Sequence, residues 1–309
     1  MQSQSANPRG GPFAFRAYGL TVSSAIDLPE LIPASATTSA DLTILCGSVP
    51  EAQPLTSPNF DPSPHINEGH FSFAAPGVAC FRVERGERIT VEPAPGANAA
   101  SIRLYLLGTA LGAALMQREL LVLHGNAIRI GDECLICLGP SGVGKSTLAA
   151  GFMARGHEIL ADDVVAIEAD GTVLPGIPRI KLWQDAATNL AMETADFDRI
   201  APGVAKFNIP IGDSFNEKPA RARWGYILEP NDSDHFQIER IAGMAMYPPL
   251  FANTYRAQLI GGLGLKAAHL KQCGRLAAQI RLSRIKRPKK GFDLDGLIRR
   301  IRDDVGLTS

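Results

Sequence analysis

The first hundred residues alternate between apolar and polar positions. Residues 13–18, 41–46, 70–73 and 78–83 each place apolar side chains at about every second position, between turn-forming residues. A period of two turns one side of a segment toward a core and the other toward water, so these stretches predict strands. Residues 86–92 follow a turn and complete a meander, and 93–99 read as a Pro/Gly/Ala linker. Residues 49–67, rich in Pro, Ser and Asn, predict a loop. The expectation is a small β-rich domain over residues 1–100, with no motif in it that carries chemistry.

From Ala100 the pattern changes. Residues 102–119 are small and aliphatic and read as a helix. Residues 121–125 predict a strand ending in a turn, and 127–130 with 133–138 predict a hairpin around Gly131-Asp132. Residues 145–155 carry Leu148, Phe152 and Met153 at helical spacing, with Gly156 able to end the helix. Residues 157–167 form an apolar strand interrupted by Asp162 and Asp163. The run 174–183 follows, 223–229 read as one more strand, and the remainder is expected to be mainly helical, with a basic stretch over 281–290. Residues 101–309 therefore predict an α/β domain with a helical C-terminal part.

Composition removes several classes. Of 309 residues 45% are hydrophobic, enough for a real core, and the formal net charge is zero, which supports neither nucleic acid nor a membrane as partner. The polar stretch 1–12 has no basic-then-apolar signal pattern, and the apolar stretch 104–123 is broken by Gln117, Arg118 and Glu119. A soluble, cytoplasmic protein is expected. Five cysteines without an export signal argue against a disulfide framework. Cys134 and Cys137 stand three apart in a predicted strand, on opposite sides, and no second pair completes a zinc site; they read as buried, inert thiols.

The chemistry is concentrated between the hairpin and the next strand. Gly139, Ser141, Gly142, Val143, Gly144, Lys145, Ser146 and Thr147 belong to a complete G-x-x-x-x-G-K-S phosphate-binding loop, set between a strand and a helix as that motif requires. The glycines let backbone N–H groups curl around phosphates, and the helix N-terminus adds a positive dipole end. Lys145 is expected on the β/γ-phosphates and Ser146 on Mg2+. Two adjacent acids in an apolar strand are costly unless a cation offsets them, so Asp162 and Asp163 either sit beside Mg2+ or face solvent at a strand end.

Residues 123–125 (Leu-His-Gly), the phosphate loop, residues 155–157 (Arg-Gly-His) and residues 160–163 (Leu-Ala-Asp-Asp) together resemble the HPr kinase/phosphorylase superfamily, protein serine kinases on a phosphoenolpyruvate-carboxykinase-like core. The resemblance covers about residues 101–190. It implies an α/β phosphate-loop kinase core, a mixed sheet with helices, using ATP and Mg2+. It also implies that Asp162 is the general base, Asp163 the Mg2+ partner with Ser146, and His124 a neighbour that tunes Asp162. Homo-oligomeric assembly is a further implication. The chain departs from the sugar-regulating enzymes in its N-terminal domain, in Thr147 where they carry Glu, and in residues 174–183, which replace their Arg-Gly-Leu-Gly segment. The whole-chain pattern is more similar to the kinases found with lasso-peptide biosynthesis enzymes, which phosphorylate the precursor's C-terminal serine. A peptide serine kinase is thus the leading expectation. An HPr-like acceptor, a reversible kinase/phosphorylase and a non-catalytic nucleotide-binding regulator are the alternatives. His124 either acts in the site or caps a strand. Arg179 either stabilises transferring phosphate or lies on the surface. Trp183 is expected in the core, and the basic run either is a solvated face or guides an acidic peptide.

Overall fold

The computed structural model describes residues 12–35, 39–50, 52, 66–67, 69–190, 192–194, 197–200, 203–233, 235–288 and 293–307. Residues 1–11, most of the loop expected over 49–67, and Lys289 and Lys290 of the basic run lie outside the described residues.

The alternating segments become Phe13–Ala17 (β1), Leu20–Ser24 (β2), Ile32–Pro33 (β3), Leu42–Cys46 (β4), Ile66–Asn67 (β5), His70–Ala75 (β6), Ala79–Glu84 (β7) and Arg88–Pro93 (β8). They make one eight-stranded sheet in the order β3-β1-β2-β4-β8-β7-β6-β5. Its period-two pattern is realised literally: in β6 and β7 every second residue is buried, including Phe71, Phe73, Phe81 and Val83. Phe73 stacks on its cross-strand partner Phe81 with ring centroids 4.8 Å apart.

The apolar helical run comprises Ala99–Tyr105 (α1), a π turn at Leu106–Ala110 and Leu111–Gln117 (α2). Asn98 caps it, its Oδ1 accepting the N–H groups of Ala100 and Ser101. By length and composition alone the run Ala99–Gln117 is apolar enough to cross a membrane, but most of it is buried inside the protein, where its π turn and α2 pack on β7 and β8. The sequence pattern assigns this helix to the domain that follows. In the structure it belongs to the first compact unit, which runs to Leu120 and takes in Arg256–Ala267 with the short helix Gln258–Gly262. The apolar face of the sheet is what the helix covers.

The second unit is Leu121–Tyr255 with Ala268–Ser309. Its elements are Leu121–Ile130 (β9), Glu133–Leu138 (β10), Lys145–Met153 (α3), Ile159–Ile167 (β11), Thr172–Leu174 (β12), Arg179–Trp183 (β13), Gln184–Asn189 (α4), Lys206–Pro210 (β14), Ala220–Asn231 (β15), Gln237–Ile241 (β16), Tyr247–Ala252 (α5), then, after the short helix already given (α6), Lys266–Ala277 (α7), Arg281–Pro288 (β17) and Leu294–Val305 (α8). Seven strands pair in the order β10-β9-β11-β12-β15-β17-β16, and β10 also pairs in parallel with β15. This mixed sheet with helices is an α/β fold. Core residues gather on both of its faces. One cluster joins Leu135, Cys137 and Tyr226 to Leu148 and Phe152 of α3 and Leu297, Ile298 and Ile301 of α8. The other joins Cys134, Ile136 and Leu138 to Leu250 of α5 and Cys273 and Leu276 of α7. Full burial of a side chain such as Phe152 contributes about 1.5–3 kcal/mol. Cys134 and Cys137 fall on opposite faces, both free and buried; burial pushes the Cys134 thiol up to about 12.

After β15 the chain is mainly helical, as expected, with β16 and β17 as its strands. The basic run contains a strand, β17, between β15 and β16. Three of its cations pair with carboxylates, Arg281 with Asp304, Arg284 with Glu229 and Lys286 with Glu239, and Arg287 donates to the Val143 carbonyl. Leu282 and Ile285 carry its apolar face, and the alternating charges between them hide the strand period from a sequence reading.

Candidate active site

β9 is longer than the sequence suggests, because Gly125 continues the strand instead of ending it. A Cβ there would lie 2.4 Å from the Cys137 carbonyl oxygen on β10, so the two strands approach as closely as they do only because residue 125 is glycine. The antiparallel register of β9 with β11 sets Val164 opposite His124, Asp163 opposite Gly125 and Asp162 opposite Asn126. Meanwhile β10 runs straight into the phosphate loop. Gly139, Gly142 and Gly144 have φ of 138°, 81° and 101°, left-handed values that side chains resist. The loop at the end of β10 and the aspartate pair in the middle of β11 thus stand level with each other on either side of β9.

The side chains close this arrangement. Ser146 Oγ donates to Asp162 Oδ1 at 2.9 Å, and the Lys181 backbone N–H donates to Asp162 Oδ2 at 2.8 Å. Asp163 takes a different set: Lys181 Nζ donates to its Oδ2 at 2.6 Å, and His124 Nδ1 lies 3.4 Å from its Oδ1 and 3.0 Å from its carbonyl oxygen. Lys145 Nζ donates to the carbonyls of Gly139 and Pro140 at 2.8 and 3.1 Å and stands 3.2 Å from His124 Nε2. Asp163 has φ 75°, a strained position that Asp tolerates better than most residues.

Charge follows geometry. Burial raises the Asp162 carboxyl above its ordinary value, against the pull of the Lys181 N–H. Burial acts on Asp163 too, but the Lys181 ammonium and His124 together hold it well below the usual carboxylate range. Burial, then the Lys145 charge, lowers His124 below its ordinary value, against the pull of the Asp163 carboxylate. Burial also lowers Lys145 and Lys181.

Of the residues singled out in the sequence, the phosphate loop with Gly139, Ser141, Gly142, Val143, Gly144, Lys145, Ser146 and Thr147 lies beside His124, Asp162 and Asp163. Arg179 is buried at the start of β13, 6% exposed, not on the surface, and its charge bears on Lys181. Trp183, expected in the core, is 43% exposed. Sequence reasoning missed four contributors. Lys181 holds both aspartates. Asn126 Nδ2 donates to the Lys145 carbonyl at 2.5 Å, and Asn253 Oδ1 accepts the Gly139 N–H at 2.7 Å. Lys206 on β14 stands opposite Trp183 on β13, the two strands forming an antiparallel ribbon. A polar residue in a mostly apolar strand is a usable signal for Asn126; Asn253 is 114 residues from its partner and offers none.

Comparison with known proteins agrees on this segment. Residues 116–181 match the family model described as HPr Serine kinase C-terminal domain. An HPr kinase/phosphorylase of Lactobacillus gasseri is 33% identical over 118 residues, 35% of this chain and 37% of that protein. One of Clostridium botulinum is 38% identical over 61 residues, 19% of this chain and 20% of that protein. The solved Hpr(Ser) kinase/phosphatase of Coxiella burnetii aligns over 60% of this chain and 90% of that one, at 15% identity and a TM-score of 0.29, a likeness too slight to bear on the fold. The chain spans little more than a third of the length of one curated relative and a fifth of the other. The family match contains the phosphate loop, His124, both aspartates, Arg179 and Lys181, and its similarity is to HPr kinase/phosphorylase in that segment.

Proposed function

We propose that this chain is an ATP- and Mg2+-dependent kinase that transfers a phosphoryl group to a serine hydroxyl of a peptide or small protein. The observation that carries the reading is the convergence of Lys145, Ser146, Asp162, Asp163 and His124 at one phosphate-binding loop. Nucleotide binding alone needs the loop and its lysine. A carboxylate held ionised beside them is what an acceptor hydroxyl needs to lose its proton.

The residues fit Mg2+. The Ser146 hydroxyl and the Asp162 carboxylate are hard oxygen donors 2.9 Å apart at the loop. Among the described residues no group of three or more His, Cys, Asp or Glu could cage a metal, which suits an ion shared with phosphate oxygens and water. When bound, Mg2+ supplies charge neutralisation at the transferring phosphate. The hydrogen-bond pattern supports Asp162 with Ser146 on the metal side and Asp163 as proton acceptor, exchanging the roles the family resemblance implies. Lys181 keeps Asp163 ionised, His124 orients it, and Lys145 with the loop N–H groups binds the phosphates.

For the acceptor, the C-terminal serine of a lasso-peptide precursor is the leading reading, supported by Thr147 and by the ribbon that stands where the sugar-regulating enzymes carry Arg-Gly-Leu-Gly. An HPr-like carrier is the second, favoured by the names of the matched relatives. Incubation with γ-labelled ATP, Mg2+ and either a synthetic precursor peptide or folded HPr, with mass spectrometry of the products, tests this. Phosphoserine at the peptide's C-terminus is expected. Labelling of HPr alone selects the second reading, and labelling of neither overturns both.

A further inference from the structure

The acceptor side of the site has its own architecture. β13 and β14 form an antiparallel ribbon in which Arg179 opposes Pro210, Lys181 opposes Asn208 and Trp183 opposes Lys206. Directly opposed residues share a face, and alternate residues change face. Ile180, Leu182, Phe207 and Ile209 make one face, and all four are buried in the core beneath α3 and α8. Arg179, Lys181, Trp183, Lys206 and Asn208 make the other. This polar face touches the carboxylates directly, through Lys181.

Three of its groups have no part in the phosphoryl chemistry. Trp183 is 43% exposed although it is large and apolar. Lys206 Nζ sits 5.8 Å from the centre of that ring, half-buried, and forms no ion pair with a carboxylate among the described residues. Its charge nonetheless bears on His124, Lys145, Asp162, Asp163 and Lys181, so the ammonium stands within electrostatic reach of the whole site. Asn208 Oδ1 is buried with no hydrogen-bond partner among the described residues. A buried acceptor left unsatisfied costs about 1–3 kcal/mol, and an incoming N–H removes that cost.

We propose that the polar face of the β13–β14 ribbon is the acceptor-docking surface, taking an extended peptide with an acidic group next to the phosphorylated serine. Lys206 pairs with the acid, Trp183 lies along the peptide's apolar surface, and Asn208 accepts a peptide N–H. Charge complementarity selects this occupant: Lys206 forms no ion pair among the described residues, whereas Arg281, Arg284 and Lys286 of β17 are already paired with carboxylates. The inference rests on the peptide-kinase reading. The acid is either a side chain or the chain's own terminal carboxylate.

Calorimetric titration of the full chain with three ten-residue serine peptides tests it. One ends in serine with a free carboxylate, one is amidated with Glu beside the serine, and one is amidated with Lys there. At least one acidic peptide should bind about tenfold tighter than the Lys peptide, a 1.4 kcal/mol preference. Lys206→Glu should reverse that order, and Lys206→Arg should keep it. The first two peptides tell terminal from side-chain acid. An unchanged order in Lys206→Glu, or no preference in the wild type, overturns the docking surface. Transfer of label to the same peptides is read in parallel. Lys206-dependent binding without phosphoserine removes the kinase reading and leaves the surface; phosphoserine indifferent to Lys206→Glu does the reverse.

Discussion

The two large sheets use polar residues in opposite ways. In the eight-stranded sheet, strands alternate and one side of each is polar by design, as in β7 with Cys80, Arg82 and Glu84 between buried neighbours. A polar residue there says only which way it faces. In the seven-stranded sheet, β9, β10 and β11 are buried almost end to end, with helices on both faces. The polar side chains in the middle of those strands find partners at the site: His124 with Lys145 and Asp163, Asn126 Nδ2 with the Lys145 carbonyl, Asp162 with Ser146. Polarity carries functional information in proportion to how expensive its position makes it.

The largest effect that sharpens this contrast is at Lys145. Lys145→Ala removes the cation that meets the phosphates, and transfer from labelled ATP should fall by at least about 10³-fold, the upper range for one electrostatic group. Its urea midpoint should stay near that of the wild type, since among the described residues Nζ bonds to loop carbonyls and His124 and not to the core. Full activity in this variant would break the link between buried polarity and function.

Gly125→Ala tests the strand contact that aligns the site. A methyl group 2.4 Å from the Cys137 carbonyl oxygen forces β9 and β10 apart, so stability should drop by about 1–3 kcal/mol in urea titration, with transfer reduced alongside. An unchanged midpoint would mean that the glycine is not needed for the close approach. The smallest effect belongs to the alternating sheet. Ser72→Ala, on the partly exposed side of β6, should leave transfer unchanged and shift stability by less than about 0.5 kcal/mol. A marked loss of transfer would show that the first unit contributes to the chemistry.

Legibility in the sequence followed the same division. The β-rich beginning, the hairpin, the phosphate loop and the aspartate strand were readable because each is local: a period, a turn or a spacing within a dozen residues. The ribbon was not. Residues 174–183 carry Pro175 and Pro178, and the partner strand Lys206–Pro210 comes after a polar stretch, so neither half shows its pairing alone. Lys181 and Lys206 then look like ordinary surface lysines. The pairing of Ser146 with Asp162 rather than Asp163 was also out of reach. It depends on Asp163 adopting φ 75°, which turns two adjacent carboxylates to different partners.

That turn is where the account is most exposed. Asn tolerates the left-handed backbone at 163 as Asp does, so Asp163→Asn removes the charge with little strain. Phosphoryl transfer by Asp162→Asn and Asp163→Asn, measured across a Mg2+ titration at saturating ATP, separates the two carboxylates. Asp163→Asn should lose about 10²–10⁴-fold in rate at every Mg2+ concentration, the contribution of a general base. Asp162→Asn should recover part of its activity as Mg2+ rises. Rescue of Asp163→Asn by Mg2+ with none for Asp162→Asn, or undiminished transfer in both, would contradict it.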